Sequence, residues 1–181
     1  MRDNFIFFLL SLIVCSALLF GCSPTTSAPS DLVAYAVEAE NGQLKPQGLE
    51  FGMTVEEVCK IRGLQVTDLQ EDAENNTSLR RTITIEDLSD KVYEIFSFYD
   101  GKLISASYSA FVDEADFETL MAKVTAQAEN VLPEAMRKGD SRWTDSLGNW
   151  VSIGSGSADE DSNKEVITLH ISMPRASLSG S

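Results

Sequence analysis

The stretch Val92-Tyr93-Glu94-Ile95-Phe96-Ser97-Phe98-Tyr99-Asp100-Gly101-Lys102-Leu103-Ile104-Ser105-Ala106-Ser107-Tyr108 decides the fold. Two runs rich in β-branched and aromatic residues flank an Asp-Gly pair, a strong short-range signal for a two-residue hairpin. Such a loop fixes the pairing. Phe98 is expected to face Leu103 and Phe96 to face Ser105. On the other side Tyr99 faces Lys102, Ser97 faces Ile104, Ile95 faces Ala106 and Tyr93 faces Tyr108. Both faces then carry large apolar groups. One covers helices; the other is either covered by further chain or left as an aromatic surface suited to binding.

Working upstream, residues 79–86 alternate Leu79, Ile83 and Ile85 with threonines and read as a strand after a polar loop at 70–78. Before it stands Phe51-Gly52-Met53-Thr54-Val55-Glu56-Glu57-Val58. Thr54 with Glu57 three residues on forms a capping box, and Met53 with Val58 is placed as its hydrophobic staple. Gly63 suits the left-handed residue that closes a helix, so 55–62 is predicted helical.

Downstream, Asp113 is placed to cap a second helix over 114–132. Its positions Phe117, Leu120, Met121, Val124, Ala128 and Val131 follow the spacing of one helical face, and Pro133 ends it. Strands are expected from Trp143, from Trp150 to about residue 154, and over 165–173, where Ile167, Leu169, Ile171 and Met173 alternate with Val166, Thr168, His170 and Ser172. The order helix, three strands, helix, three strands implies an α+β domain over 49–174. Its antiparallel sheet would carry both helices on one face. A faint twofold repeat, 51–111 against 113–173, is visible, and 175–181 reads as a frayed tail.

The amino-terminal end has a different character. Residues 5–20 are continuously apolar, too short for a good spanning helix of about 20 residues. A signal-peptide core with a small residue before the cut fits better, with an ordinary secretory peptide or a short uncleaved anchor as alternatives. Leu19-Phe20-Gly21-Cys22 resembles the bacterial lipobox, with Phe20 bulkier than the residue usual there. The resemblance implies a signal peptide over 1–21 and a Cys22 acylated with palmitate-type chains as the first residue of the mature chain. Localisation would be the extracytoplasmic side of a cell membrane or outer membrane. Residues 22–48, with Pro24, Pro29, Asn41-Gly42 and Lys45-Pro46-Gln47-Gly48, read as a lipidated start and a flexible linker. Its free reach would be about 25–30 Å.

Charge and chemistry exclude several classes. With 28 acidic against 14 basic residues and a net charge of −14, the chain lacks the basic footprint that nucleic acid requires. An acidic body is also not drawn to anionic lipid. Cys15 would leave with the signal peptide and Cys22 would carry lipid, so Cys59 has no partner and reads as a small buried hydrophobe. No nucleophile elbow, phosphate loop or dinucleotide fingerprint occurs. His170 is the only histidine, which with one spare cysteine cannot build a typical zinc site. The acidic run at 159–165 lacks the calcium-loop glycine and terminal glutamate, whose places fall on Lys164 and His170. No enzyme activity, metal or cofactor is therefore expected.

The motif Phe51-Gly52-Met53-Thr54, followed by Glu56, Glu57 and Val58, with Gly63 and the later Tyr99-Asp100-Gly101-Lys102-Leu103, resembles the SmpA/OmlA (BamE-like) lipoproteins. It is similar also to the β-lactamase inhibitory protein, with its twice-repeated helix-plus-sheet unit. The resemblance implies a non-enzymatic domain that binds another envelope protein or serves envelope assembly. The alternatives are an inhibitor of a hydrolase and a carrier of a small molecule or lipid, the latter requiring an enclosed apolar cavity. The aromatic residues expected to contact a partner are Tyr93, Tyr99, Tyr108, Trp143 and Trp150.

Overall fold

The computed structural model describes residues 29–73, 75–88, 91–158 and 163–174. In chain order these form α1 (Leu32–Ala36), β1 (Val37–Glu40), β2 (Gln43–Pro46), α2 (Val55–Arg62), β3 (Gln70–Ala73), β4 (Asn76–Thr84), β5 (Lys91–Tyr99) and β6 (Lys102–Asp113). They continue with α3 (Glu114–Val131), β7 (Arg137–Gly139), β8 (Arg142–Thr144), β9 (Trp150–Ser157) and β10 (Lys164–Ser172). The class is α+β, with antiparallel pairing throughout. β1 and β2 form a small hairpin; the others form one eight-stranded sheet in the order β3-β4-β5-β6-β10-β9-β8-β7. Each half is a meander, and the halves meet where β6 pairs with β10 from Lys164↔Asp113 to Ser172↔Ser105.

The turn at Asp100-Gly101 forms as expected, with both residues at positive φ (49° and 70°). Tyr99↔Lys102 and Phe98↔Leu103 pair as predicted. There the simple register ends. Ser97 faces Ser105, so Ile104 is an extra, unopposed residue. The later partners become Phe96↔Ala106, Ile95↔Ser107, Glu94↔Tyr108 and Tyr93↔Ser109, each one place from the expectation. The bulged Ile104 carbonyl accepts from Met173 N–H (3.1 Å) and Ser172 Oγ (3.3 Å). Its physical reason is burial: the slip keeps Leu103, Ala106, Tyr108, Ala110 and Val112 on one side and sends Ser105, Ser107 and Ser109 to the other.

That sorting makes one face the core. Val92, Phe96, Phe98, Leu103, Tyr108, Leu169, Ile171 and Trp143 are wholly buried there. α3 lies along this face over β6 and β10, burying Val124 and Ala128, and packs against α1. The expectation of both helices on one face is corrected: one helix, α3, lies along the sheet face, while α2 joins the core through Val55, Val58 and Cys59. Its capping box forms, Thr54 Oγ1 accepting from Glu57 N–H (3.3 Å) and Glu57 from Thr54 N–H (2.8 Å). Gly63 closes it at φ 67°. The segment before the cap is tied to β6 by Gly52 N–H to Leu103 O (2.9 Å) and Leu103 N–H to Met53 O (2.8 Å). Asp113 stands at the N-cap of α3 but makes no capping bond; its carboxylate meets Lys164 Nζ at 3.1 Å instead.

Residues 31–48 are not a linker, which corrects the expectation for that part of 22–48. Asp31 caps α1 by accepting from Ala34 N–H (2.9 Å), and Leu32, Val33, Ala36, Val37 and Leu44 are core residues. Leu32, Val33 and Ala36 recur at helical spacing, so an apolar stripe docks a helix within the stretch read as linker from its prolines and glycines. Buried Asp145 fastens the hairpin by accepting from Leu44 N–H (2.8 Å). The strands β3 and β7 are likewise additions to the expected set. Cys22, the signal segment, most of the acidic run at 159–165, and the tail lie outside the described residues.

Candidate functional site

Opposite the core, the second face of the sheet has no element laid across it among the described residues. Register places on it Arg80, Thr82, Tyr93, Ile95, Ser97 and Tyr99 from β4 and β5, Ser105, Ser107, Ser109 and Phe111 from β6, and Val166, Thr168, His170 and Ser172 from β10. β9 and β8 add Trp150, Ser152, Gly154, Arg142 and Thr144. The centre is thus a strip of serine and threonine, flanked by aromatic clusters. Tyr93 and Phe111 pack edge-to-face with centroids 5.5 Å apart on one side. On the other, Trp150 lies 4.8 Å from the His170 ring and Arg142 covers Trp150 at 4.9 Å.

The five aromatic residues singled out in the sequence divide between the faces. Tyr93 is 43% exposed, and Tyr99 and Trp150 are half-buried, all on the open face. Tyr108 and Trp143 are on the core side with no exposed surface, so neither can touch a partner, which corrects their inclusion. For Tyr108 the cause is the bulge at Ile104, which turned it away from Tyr93.

Charge is distributed unevenly. Among the described residues, Asp113 is the one carboxylate at an open-face position of β4, β5, β6, β8, β9 and β10, and it is paired with Lys164. Cations at such positions are Arg80, Lys91, Lys102, Lys164 and Arg142, with Arg80 meeting Asp72 of the edge strand at 3.4 Å. A chain of net charge −14 therefore turns a basic, aromatic and hydroxyl-rich face outward.

Sequence reasoning missed the contact between Ser107 Oγ and His170 Nδ1, 2.6 Å apart across β6 and β10. Burial holds the His170 pKa below its ordinary value, so near neutral pH it is an uncharged imidazole. A serine beside a neutral histidine resembles half of a nucleophilic triad. Ser107 sits mid-strand, opposite His170 of β10 on one side and Ile95 of β5 on the other. Next to it on the same two strands, the Ser109 and Thr168 hydroxyls lie 3.2 Å apart. A register read from the serine alternation 105, 107, 109 would have found it.

Beneath the core face a second polar cluster supports the sheet. Glu94, fully buried, is bonded by Arg81 Nε, and Arg62 Nε stands 3.8 Å away. Arg81 also donates to Arg62 O (2.7 Å) and to Tyr35 Oη (2.9 Å), joining α1, α2, β4 and β5. Burial, and then the Glu94 charge, push the Tyr108 hydroxyl well above its ordinary pKa. Cys59 is buried in α2 with its thiol pKa raised by burial, which keeps it protonated and unreactive.

Hollows open to solvent lie among the described residues. One of about 350 Å³ is lined by Gln43, Leu44, Lys45, Glu50, Phe51 and Leu147; another, about 480 Å³, lies between α3 and β9. Neither of these is an enclosed cavity. Among the described residues no cluster of metal-ligating side chains occurs and no helix is long and apolar enough to cross a membrane. Comparison with protein-family models, with curated proteins and with solved structures gives no match.

Proposed function

We propose that the chain is a lipid-anchored envelope lipoprotein whose open sheet face docks another envelope protein, without catalysis of its own. The observation that carries the docking surface is the sorting of charge. Carboxylates dominate the chain yet are nearly missing from the broad sheet face that no described element covers, where Tyr93, Tyr99, Trp150 and Arg142 stand ready. Aromatic residues and arginine are the side chains that concentrate binding energy in interfaces, and their charge calls for a carboxylate-rich partner.

The lipobox-like Cys22 supplies the anchor in this reading. Pro29 O already accepts from Glu86 N–H (2.9 Å), so six residues separate the acylated cysteine from the folded body. Covalent geometry limits the span from Cys22 to Pro29 to about 25 Å, short enough to hold the β4–β5 end of the sheet near the bilayer. The resemblance to SmpA/OmlA-type and β-lactamase-inhibitory-type proteins belongs to the same proposal. It is supported by two meanders, each following a helix, that meet at β6 and β10.

The experiment is affinity capture from detergent-solubilised envelope using the full chain, compared with a Tyr93→Ala/Arg142→Ala/Trp150→Ala variant. The variant should lose the captured protein, while Ile61→Ser, at an exposed residue of α2, should retain it. Equal capture by all three forms would remove the open face from the function. Mass measurement of the mature amino terminus, with a Cys22→Ser control, tests the anchor separately.

A further inference from the structure

The two halves of the sheet protect their inner strands unequally. β4 covers β5 along its whole length, from Thr84↔Lys91 to Asn76↔Tyr99. In the other half β8 pairs only Trp150, Val151 and Ser152 of β9. One more bond, Ile153 N–H to Ser141 O (2.9 Å), ends that contact. Beyond it β9 runs on to Ser157 beside β10 alone.

Hydrogen-bond direction alternates along a strand, so the N–H and C=O of Ser155 point the same way as those of Ile153, outward from β10. No described residue pairs with them there. Gly154, Ser155 and Gly156 are all exposed. Proteins usually blunt such an edge with lysine, proline or a bulge. This one carries two glycines, whose missing side chains let a second backbone approach. Alongside it, on the core side, is the hollow of about 480 Å³ lined by Glu114, Phe117, Glu118, Ser155, Gly156 and Glu165. Three carboxylates surround one half-buried ring. Lys164, next in sequence to Glu165, is on the opposite face and meets Asp113 at 3.1 Å.

We propose that this edge of β9 is a second binding site, which takes an extended strand from a basic polypeptide. The incoming backbone pairs with Ser155 and continues the sheet beyond the tip of the β7–β8 hairpin. Alternate side chains of that strand enter the hollow, an apolar one against Phe117 and a lysine or arginine among Glu114, Glu118 and Glu165. The site is distinct from the open face, since it lies at the sheet edge under α3 and has the opposite charge.

The test titrates the isotope-labelled full chain in neutral detergent with two blocked pentapeptides, alternating lysine with valine or glutamate with valine. The lysine peptide should shift the amides of 153–157, slow exchange at Ser155, and bind at least about tenfold more tightly than the glutamate peptide. Ser155→Pro removes the outward N–H without touching the bonds to β10, and should weaken binding about tenfold. Glu118→Lys should do the same through charge, and keeps the test decisive if proline disturbs β9. Equal binding of the two peptides, shifts confined to other parts of the sheet, or unweakened binding by both variants would overturn the proposal. So would protection of Ser155 that grows with protein concentration in the absence of peptide, which would identify a second copy as the occupant.

Discussion

Replacing Glu94 with leucine should be the most destabilising single change among the polar residues. Its carboxylate is wholly buried, bonded to Arg81 and 3.8 Å from Arg62, and those arginine side chains keep only 26% and 12% exposure. Removing one partner of a buried ion pair costs about 3–5 kcal/mol, because the remaining charge loses its counter-ion and cannot recover full hydration. Both arginines retain a path to water, so the lower end applies, about 3 kcal/mol. For a domain of this size that corresponds to a fall in Tm of about 6–12 °C. Thermal and urea unfolding of Glu94→Leu read the loss directly. Arg81→Met/Glu94→Leu should regain much of it, since an apolar pair of similar volume no longer strands a charge. A Glu94→Leu protein within about 1 kcal/mol of the parent would show that the cluster is not the fastening between the sheet and α1 and α2.

The two tryptophans should separate the two faces. Trp143→Ala, which empties a fully buried site, should cost about 3–5 kcal/mol in urea unfolding, whereas Trp150→Ala on the open face should cost less than half of that. Gly148→Ala should destabilise by more than about 1 kcal/mol, because φ is +84° and the new Cβ would stand 3.0 Å from Pro174 Cγ. His170, with its pKa held below the ordinary 6.5, binds fewer protons folded than unfolded in the interval between those values. Stability from this group is therefore complete above about pH 6.5 and is lost as the pH falls towards the folded pKa. Urea midpoints at pH 7 and pH 5 should differ more for the parent than for His170→Gln.

Much of the fold could be read from local chemistry. The Thr54–Glu57 box, Gly63 and the Asp100-Gly101 turn each dictate a backbone conformation within a few residues, and all three formed. Pairing was harder, because a bulge is decided by what the whole face buries. Ile104 and Leu103 are adjacent apolar residues, and only the demand that Ala106, Tyr108 and Ala110 join Leu103 against the helices makes one of them the extra residue. Tyr93 and Tyr108 consequently parted to opposite faces. The α1 segment was hidden for a related reason: its helix of five residues is too short to be stable alone and forms only by packing Leu32, Val33 and Ala36 on the core. The basic character of the open face emerges only after strands distant in sequence are set side by side.

Photocross-linking in growing cells tests the docking face most directly. An aryl-azide side chain placed at Tyr93 or Trp150 should give one discrete adduct with an envelope protein, and the same group at Ala126 on the outer side of α3 should give none. Adducts of equal yield from both sides, or from Ala126 alone, would contradict the assignment of the open sheet face as the surface this protein offers its partner.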